Sequence, residues 1–217
     1  MGKAMAKKFA AEGFRVLLCA RNKEQVDALA AELGNGSKGY VCEMADKEAV
    51  IAWGKQLLLD ADGRIDVLIN NAGTFLPGQV SNEADGVFEK MWHLNVAGPY
   101  HLTRAVLPAI KVGHIFNICS TASFVAYTDG GSYCISKFAM LGFSKVLRAE
   151  LKNSDIRVTS VMPGATLTDS WNGTDLPSTR FMKPSDVASA VWGCYALSPH
   201  TVVEELLLRP QQGDIAG

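Results

Sequence analysis

Three side chains in the middle of the chain have the types and spacing needed for proton transfer: Ser120, Tyr133 and Lys137. Tyr133 and Lys137 are four residues apart, which is about 6 Å of helix rise and returns both side chains to one helix face. An ammonium beside a phenol stabilises the phenolate and so assists proton exchange. Alone, this spacing is weak evidence, because Tyr-x-x-x-Lys also arises by chance.

The residues around this trio alternate between strand-like apolar runs and helical patterns. We predict helices over 2–12, 22–34, 46–59, 83–110 and 133–152 and one opened by Pro184, with strands at 15–20, 40–42, 65–69, 114–119, 157–162 and 205–208. Strict alternation of this kind is typical of an α/β fold with a doubly wound parallel sheet between two helical layers.

Polar or small residues follow the predicted strands at the points where such a fold binds ligands, just past their carboxyl ends. These segments are Ala20-Arg21, Glu43-Met44, Asn70 to Gly73, Ser120 and Pro163-Gly164. We therefore expect five strand ends to converge on one crevice.

Length and composition predict one domain and exclude several classes of function. The 217 residues carry a formal net charge of −1, so no basic surface for nucleic acid or anionic membrane is expected. No apolar run is long enough to span a bilayer, and we expect a cytoplasmic protein. The five cysteines are not clustered, and we interpret them as reduced thiols in the core. The four histidines lack the spacing of metal ligands, so we predict no metal site.

Taken together and in order, these motifs resemble the classical short-chain dehydrogenase/reductase family along nearly the whole chain. The matching segments are Asn70-Asn71-Ala72-Gly73, Asn95, Ser120, the Tyr133 and Lys137 pair, and Pro163-Gly164 through Thr168. The resemblance implies a Rossmann-like fold of three αβα layers. It also implies hydride exchange between a nicotinamide cofactor and a small carbonyl compound or secondary alcohol, with Tyr133 as general acid or base.

The resemblance assigns roles to the other catalytic candidates. Ser120 would hold the substrate oxygen by a hydrogen bond, and Lys137 would bind the nicotinamide ribose and keep its charge near Tyr133. Asn95 would hold a water that links the lysine to solvent. Without the other motifs, an exposed surface residue is the favoured interpretation of the helical Asn95, and a strand-end turn residue is an equally good interpretation of Ser120.

The resemblance also implies a set of cofactor contacts. They are Gly2, Ala20, Arg21, Glu43, Met44, Asn71, Ala72, Gly73, Tyr133, Lys137, Pro163, Gly164, Thr166 and Thr168. Ala20 stands where NAD enzymes carry an aspartate, and Arg21 follows it, so NADP is favoured over NAD. The alternative for Arg21 is a solvated surface side chain. Glu43 replaces the family's shorter aspartate near the adenine.

One family feature is missing from the sequence. The family begins with a strand and a Thr-Gly-x-x-x-Gly-x-Gly turn, of which only Gly2 matches the last glycine. Loss of that central strand would leave facing backbone groups unpaired, at roughly 1–3 kcal/mol for each buried group. Two hypotheses follow: the natural chain starts about a dozen residues earlier, or the protein is a catalytically impaired scaffold or binding protein. Epimerase-like or dehydratase-like chemistry on Tyr133 is a third.

The sequence carries fewer signals for the substrate and for the number of subunits. The segment between Thr168 and Pro184 contains Trp171, Leu176 and Phe181, and we assign it to a lid over the substrate, although core packing would explain its aromatic residues equally. The family resemblance implies a homodimer or homotetramer, with the helices at 83–110 and 133–152 as candidate interfaces.

Overall fold

The computed structural model describes residues 1–215 and contains the predicted alternation of helices and strands. The helices are α1 Gly2–Ala11, α2 Lys23–Leu33, α3 Lys47–Asp60, α4 Val87–Trp92, α5 Gly98–Val106, α6 Gly131–Leu151 and α7 Pro184–Tyr195. The strands are β1 Leu17–Ala20, β2 Lys38–Val41, β3 Val67–Asn70, β4 Val112–Ile118, β5 Asp155–Pro163 and β6 Glu205–Leu208.

Every ladder between these strands is parallel, which confirms the predicted fold class. The strands nevertheless form two sheets, a pair β1-β2 and a four-stranded sheet in the order β3-β4-β5-β6. Val16, just before β1, belongs to the same apolar cluster as Val67 and Ile69 of β3. The break in the sheet therefore lies between β1 and β3, where the sequence predicted a missing strand.

Two apolar cores lie on opposite faces of this split layer. On one face, Val50 of α3 and Val106 of α5 pack against Ile115 of β4. On the other face, Phe9 of α1 packs with α7 against Phe116, the next residue of β4. Because successive strand residues point to opposite faces, one continuous apolar strand serves both cores.

Helices α2 and α3 both begin at a side-chain cap. The Asn22 side chain accepts a hydrogen bond from the Gln25 backbone N–H at 2.9 Å, and Asp46 accepts one from Ala49 at 3.0 Å. Gly34 ends α2 with φ of +64°, a left-handed conformation that glycine adopts without strain. The caps fix where α2 begins on its way from β1 to β2, and where α3 begins on its way from β2 to β3.

The single helix predicted over 83–110 is wrong. Helix α4 starts only at Val87, after Gly86 with φ of +85°, and a π-helical turn over His93–Ala97 separates it from α5. Pro99 has no backbone N–H to donate to the carbonyl of Asn95, so the regular α-helical ladder is interrupted there. Among the described residues, no helix is both long and apolar enough to cross a membrane.

All five cysteines are free thiols, in agreement with the prediction. Four of them are buried, and Cys19 in β1 is partly buried. Burial raises the pKa of the Cys119 thiol to about 11, because the thiolate would lose its solvation. Such a thiol stays protonated and packs as a small apolar side chain.

Candidate active site

Helix α6 carries Tyr133 and Lys137, and its first turn is held by a residue far away in sequence. Glu83 accepts hydrogen bonds from the backbone N–H of Ser132, at 2.8 Å, and from the Ser132 hydroxyl. Gly131 has no Cβ that would collide with the Glu83 carboxylate. Glu83 thus anchors the helix next to Tyr133, a contact over 49 residues that no local sequence signal indicated.

The helix brings the phenol and the ammonium together as the four-residue spacing predicts. Lys137 Nζ lies 5.9 Å from the centre of the Tyr133 ring and donates a 2.9 Å hydrogen bond to the carbonyl of Ile118. Lys137 is only 6% exposed, whereas Tyr133 is half-buried. The Phe75 ring meets the Tyr133 ring edge-on at 4.9 Å between centroids. The ammonium is therefore fixed inside the protein while the phenol borders solvent.

Ser120 lies at the same edge, just past the end of β4. Its Oγ accepts a hydrogen bond from the backbone N–H of Ala122 at 3.1 Å, and its own N–H donates to Ser123 Oγ at 3.1 Å. This short 3-10 turn packs against α6. Ser120 is two residues beyond Ile118, which accepts the Lys137 hydrogen bond. Since its Oγ acts as an acceptor here, the hydroxyl proton is free for another acceptor.

Asn95 is 1% exposed, so the interpretation as a surface residue is wrong. In the π-helical turn, its Oδ1 accepts from the Thr74 N–H at 2.9 Å, and its Nδ2 donates to the Thr74 carbonyl at 3.0 Å and to Ser136 Oγ at 2.9 Å. A Cβ on Gly73 would lie 3.1 Å from Asn95 Oδ1 and 3.6 Å from Lys137 Nζ. The structure therefore places Asn95 and Lys137 around the same glycine. Ser136 had not been identified from the sequence.

The segment from Asn70 to Gly73 joins several elements. Asn70 Nδ2 donates to Thr103 Oγ1 of α5 at 2.9 Å and to Asn117 Oδ1 of β4 at 2.8 Å. Asn70 thus ties the end of β3 to β4 and α5. Next to it, a Cβ on Gly2 would lie 2.6 Å from Asn71 Nδ2. The N-terminus of α1 therefore sits directly against the end of β3.

The ends of β1 and β2 lie side by side because Ala20 is paired with Val41. Arg21 is exposed and forms no ion pair with any carboxylate of residues 1–215. Glu43 is exposed as well, and Met44 is buried. Both line an open cleft of about 700 Å³ between the start of α3 and the start of α5. The structure brings these four predicted cofactor residues to one edge.

Beyond β5, the chain turns at Pro163-Gly164, and the Gly164 N–H donates to the Leu208 carbonyl at 2.8 Å. Thr166 is buried, and its hydroxyl donates to the Gly164 carbonyl at 3.0 Å. Thr168 is half-buried at the start of a short 3-10 turn, Asp169–Trp171. The Thr168 side chain makes no capping hydrogen bond to this turn.

The segment predicted to be a lid is only partly packed. Phe181 is buried and contacts Trp171 at 4.8 Å between ring centroids, whereas Leu176 is 39% exposed. Two of the three apolar side chains are therefore explained by packing, and Leu176 alone points to solvent.

The C-terminal segment over 209–214 was not identified from the sequence as part of the site. Arg180 donates to the carbonyls of Gly213 at 2.9 Å and Asp214 at 2.8 Å. A Cβ on Gly164 would lie 3.0 Å from Asp214 Oδ1. The C-terminal segment therefore lies against the Pro163-Gly164 bend.

The groups along this edge fit a phosphorylated dinucleotide. The N-terminus of α1 has no side-chain cap, so its first backbone N–H groups and the helix dipole are available to phosphate. Arg21, which forms no ion pair among residues 1–215, offers a cation at the end of β1. Gly73 brings the backbone close to Lys137, whose ammonium has donors for a ribose hydroxyl.

Comparison with known proteins gives a consistent result. Residues 1–176 match the family model described as short chain dehydrogenase. Sepiapterin reductase of Chlorobaculum tepidum is 35% identical over 162 residues, covering 73% of this chain and 66%, just under two thirds, of that enzyme. The NADP-dependent 3-hydroxy acid dehydrogenase of Salmonella typhi is 30% identical over 239 residues, covering 100% of this chain and 93% of that enzyme.

The likeness extends to solved structures. The crystal structure of a metagenomic short-chain oxidoreductase in complex with NADP is 30% identical and superposes with a TM-score of 0.83. The superposition covers 97% of this chain and 91% of that one. The fold is therefore shared across nearly all of this chain.

Proposed function

The chain belongs to the short-chain dehydrogenase family, and from this premise we propose that it interconverts a small carbonyl compound and its secondary alcohol, with NADP(H) in preference to NAD(H). Family membership makes the protein an NAD(P)-dependent oxidoreductase acting on CH–OH groups. The observation that carries the finer proposal is the placement of the Lys137 ammonium 5.9 Å from the Tyr133 ring, beside Ser120 at the same strand edge.

In the direction of reduction, the bound nicotinamide supplies the hydride to the carbonyl carbon. Tyr133 gives its hydroxyl proton to the carbonyl oxygen, which becomes the alcohol. The Ser120 hydroxyl donates a hydrogen bond to that oxygen and offsets the negative charge that develops on it. Lys137 stabilises the phenolate that Tyr133 leaves behind, because its ammonium is held nearby in a buried position.

The phenolate must then regain a proton. The ammonium of Lys137 uses one hydrogen bond on the Ile118 carbonyl and keeps two donors, one of which can serve Tyr133 and the other a ribose hydroxyl. Asn95 shapes this pocket through its bonds to Thr74 and Ser136. We propose that a water held beside Asn95 carries the proton from solvent to Lys137.

The preference for NADP rests on Arg21. Its guanidinium is exposed at the end of β1, unpaired by any carboxylate of the described residues, and Ala20 contributes no acid that would repel a phosphate. A guanidinium binds phosphate with paired hydrogen bonds. Relatives described as NADP-dependent or crystallised with NADP support the same cofactor.

The experiment compares NADPH and NADH oxidation by the purified chain over a panel of aldehydes, ketones and keto acids. Tyr133→Phe removes the proton donor, and we expect a loss of 10²-fold to 10⁴-fold in kcat with NADPH binding retained. Tyr100→Phe, on the exposed face of α5, is the matched control and is expected to keep full activity. Unchanged turnover of Tyr133→Phe would disprove the assignment of the proton donor, and a clear preference for NADH would disprove the cofactor assignment.

The split sheet favours a second candidate, the catalytically impaired scaffold. The sheet break lies beside the N-terminus of α1, where phosphate is expected to bind. Titration with NADPH separates the two candidates, because the oxidoreductase requires saturable binding and the scaffold does not.

We propose a homodimer or homotetramer for the assembled protein. Helix α6 exposes Ile135, Phe138 and Val146, which are 42, 45 and 57% exposed. Large exposed apolar side chains on one helix are typical of subunit interfaces. Light scattering of the purified chain measures the mass, and a monomer at micromolar concentration would contradict this assembly.

A further inference from the structure

The segment that joins β4 to α6 reverses the usual pattern of burial. Its small residues Ala122 and Ser123 are 2% and 1% exposed. The larger Phe124, Val125 and Tyr127 are 40, 45 and 39% exposed. Large apolar side chains are normally the buried ones, because they gain most from leaving water. Several exposed apolar side chains in one short segment are typical of a surface that binds a ligand.

Phe124 is connected both to the reactive groups and to the bend after β5. It directly follows the 3-10 turn that Ser120 caps. The Arg209 guanidinium lies 5.8 Å from the centre of the Phe124 ring, and its Nε is 2.9 Å from Asp214 Oδ2. A Cβ on Gly164 would in turn lie 3.0 Å from Asp214 Oδ1. The exposed part of the Phe124 ring therefore belongs to the same edge as the proposed proton-transfer site.

Two further aromatic rings border Tyr133. The Phe75 ring meets it edge-on at 4.9 Å between centroids. The Tyr127 ring packs against the turn before α6, where a Cβ on Gly130 would lie 3.1 Å from Tyr127 Cε2. Burial, with Tyr133 nearby, raises the pKa of the Tyr127 phenol, so this ring stays neutral. The proton donor thus has uncharged aromatic neighbours in addition to Lys137.

This lining favours a substrate that carries a flat ring. Aromatic rings attract one another beyond simple burial, because the positive edge of one ring meets the negative face of the next. An aryl group can make such contacts with Phe124 and Tyr127, whereas a saturated ring of the same size gains only from burial. The site should therefore distinguish an aryl group from its saturated counterpart.

The charges beside Phe124 disfavour an acidic substrate. Arg209 is paired with Asp214, and Arg180 donates to the carbonyls of Gly213 and Asp214 at 2.9 and 2.8 Å. Both guanidiniums are thus already engaged within the protein. A carboxylate placed against the Phe124 ring would lose its hydration without gaining an ion pair from either of them. We therefore expect the ring-bearing substrate to be uncharged.

We propose that the substrate is a neutral ketone with an aryl group, whose carbonyl oxygen meets Ser120 and Tyr133 and whose ring packs against Phe124 and Tyr127. This inference rests on the proposed function and names its substrate class. NADPH gives a hydride to the carbonyl carbon, Tyr133 gives a proton to the oxygen, and the products are the alcohol and NADP⁺. Phe124 determines specificity without touching the reacting atoms.

The test compares kcat/KM for 4-phenyl-2-butanone, 4-cyclohexyl-2-butanone and 2-butanone at saturating NADPH. Methylene groups separate each ring from the carbonyl, so the intrinsic reactivity of the three ketones is nearly the same. We expect the phenyl ketone to exceed the cyclohexyl ketone by about threefold or more. It should exceed 2-butanone by about thirtyfold or more.

A charged pair of substrates tests the second half of the proposal. We expect 4-(3-oxobutyl)benzoate to be reduced with a kcat/KM about tenfold or more below that of the isosteric 4-(3-oxobutyl)benzamide, because only the carboxylate must lose a strongly bound hydration shell.

Variants test the residue assignment. Phe124→Leu keeps an apolar side chain and removes the ring, so the ratio of phenyl to cyclohexyl ketone should fall to about one. Its kcat/KM for 2-butanone should stay within about twofold of the wild type, since the reacting groups are intact. Phe88→Leu, at a 45% exposed position in α4, is the matched control and should keep the wild-type ratio.

The outcomes separate this inference from the proposed function. Equal kcat/KM for the phenyl and cyclohexyl ketones, or faster reduction of the benzoate than of the benzamide, would overturn the substrate class and leave the oxidoreductase standing. So would reduction of other carbonyl compounds but none of these ketones. A wild-type ratio in Phe124→Leu would overturn the role of Phe124. Absence of NADPH-dependent reduction of every carbonyl compound would overturn the proposed function, and this inference with it.

Discussion

At the scale of single residues, spacing identifies the reactive pair but not its supports. Tyr133 and Lys137 were predicted from four-residue spacing, and the helix places them on one face. Ser136 and Glu83 support this pair by contacts to Asn95 and Ser132 across 41 and 49 residues. Proton transfer depends on angstrom-scale placement, so these supports belong to the site as much as the reactive groups do.

Arg21 gives a prediction at this scale. Substitution Arg21→Ala removes the unpaired cation that we assign to the NADP phosphate, and we expect NADPH affinity to fall about tenfold, which is about 1.4 kcal/mol. NADH affinity should change less than twofold, because NADH lacks that phosphate. Fluorescence titration with each cofactor measures both constants.

Lys111→Ala is the control for the loss of one positive charge. Lys111 is exposed and precedes the amino end of β4, whereas the candidate site lies at the carboxyl ends of the strands. If Arg21→Ala left both affinities unchanged, the interpretation of Arg21 as a solvated surface residue would hold instead, and equal weakening of NADPH and NADH would contradict its assignment to the NADP phosphate.

At the scale of elements, the segment between β3 and β4 differs most from its sequence pattern. Helical periodicity continues through Trp92 and Asn95, yet the structure has a π-helical turn there. The turn moves Asn95 into contact with Thr74. Gly98 follows the turn, and a Cβ there would collide with the backbone carbonyl of Met44. Close packing of α5 on the end of β2 therefore requires glycine at this position.

Two glycine substitutions in helices should change stability in opposite directions. Gly98→Ala forces backbone apart, and we expect the free energy of unfolding to fall by about 1–3 kcal/mol. Gly142→Ala, in α6, has no atom within 4 Å of the added Cβ, and helix propensity should raise the free energy of unfolding by about 0.5–1 kcal/mol. Urea unfolding measures both variants.

Activity gives a second measurement for this pair. Because the π-helical turn positions Asn95, Gly98→Ala should also lower kcat, whereas Gly142→Ala should not. Equal stability of the two variants would mean that α5 can shift away from Met44 without cost.

At the scale of the whole molecule, the core under α1 and α7 holds a buried histidine. His114 Nε2 is 2.7 Å from Thr159 Oγ1, and that hydroxyl donates its only proton to the Val203 carbonyl. Nε2 must therefore be the donor, which leaves Nδ1 unprotonated and without a partner. Burial, with Arg157 nearby, lowers the pKa of His114 to about 3. The folded protein thus keeps this imidazole neutral.

This lowered pKa predicts acid sensitivity near neutral pH. The unfolded chain binds the proton at a pKa of about 6.5, whereas the folded chain does not. The stability from His114 is therefore complete above pH 6.5 and is lost as the pH falls towards 3. At about 1.4 kcal/mol per pH unit, the free energy of unfolding should fall by about 2 kcal/mol between pH 8 and pH 5.

Urea unfolding at several pH values tests this dependence. His114→Gln keeps a donor for Thr159 but cannot titrate, so its stability should fall less than that of the wild type between pH 8 and pH 5. His101 and the Met1 amino group, whose pKa values burial also lowers, account for the remaining slope. His200→Gln, at an exposed position, should retain the wild-type slope. A wild-type protein equally stable at pH 8 and pH 5 would contradict the prediction.

The sequence by itself determined the order of the strands and helices, because burial on both faces of a strand and caps such as Asn22 and Asp46 are recorded locally. It also determined the chemistry of the reactive pair, Tyr133 and Lys137, because four residues make one helical turn.

Only the tertiary structure decided which residues surround that chemistry. The contacts of Asn95 with Thr74, of Asp214 with Gly164 and of Glu83 with Ser132 join distant segments, and no local pattern encodes their distances. The division into two sheets is decided at the same level. Hydrogen bonds between strands depend on which strand lies beside which, a property that a single strand's sequence does not carry.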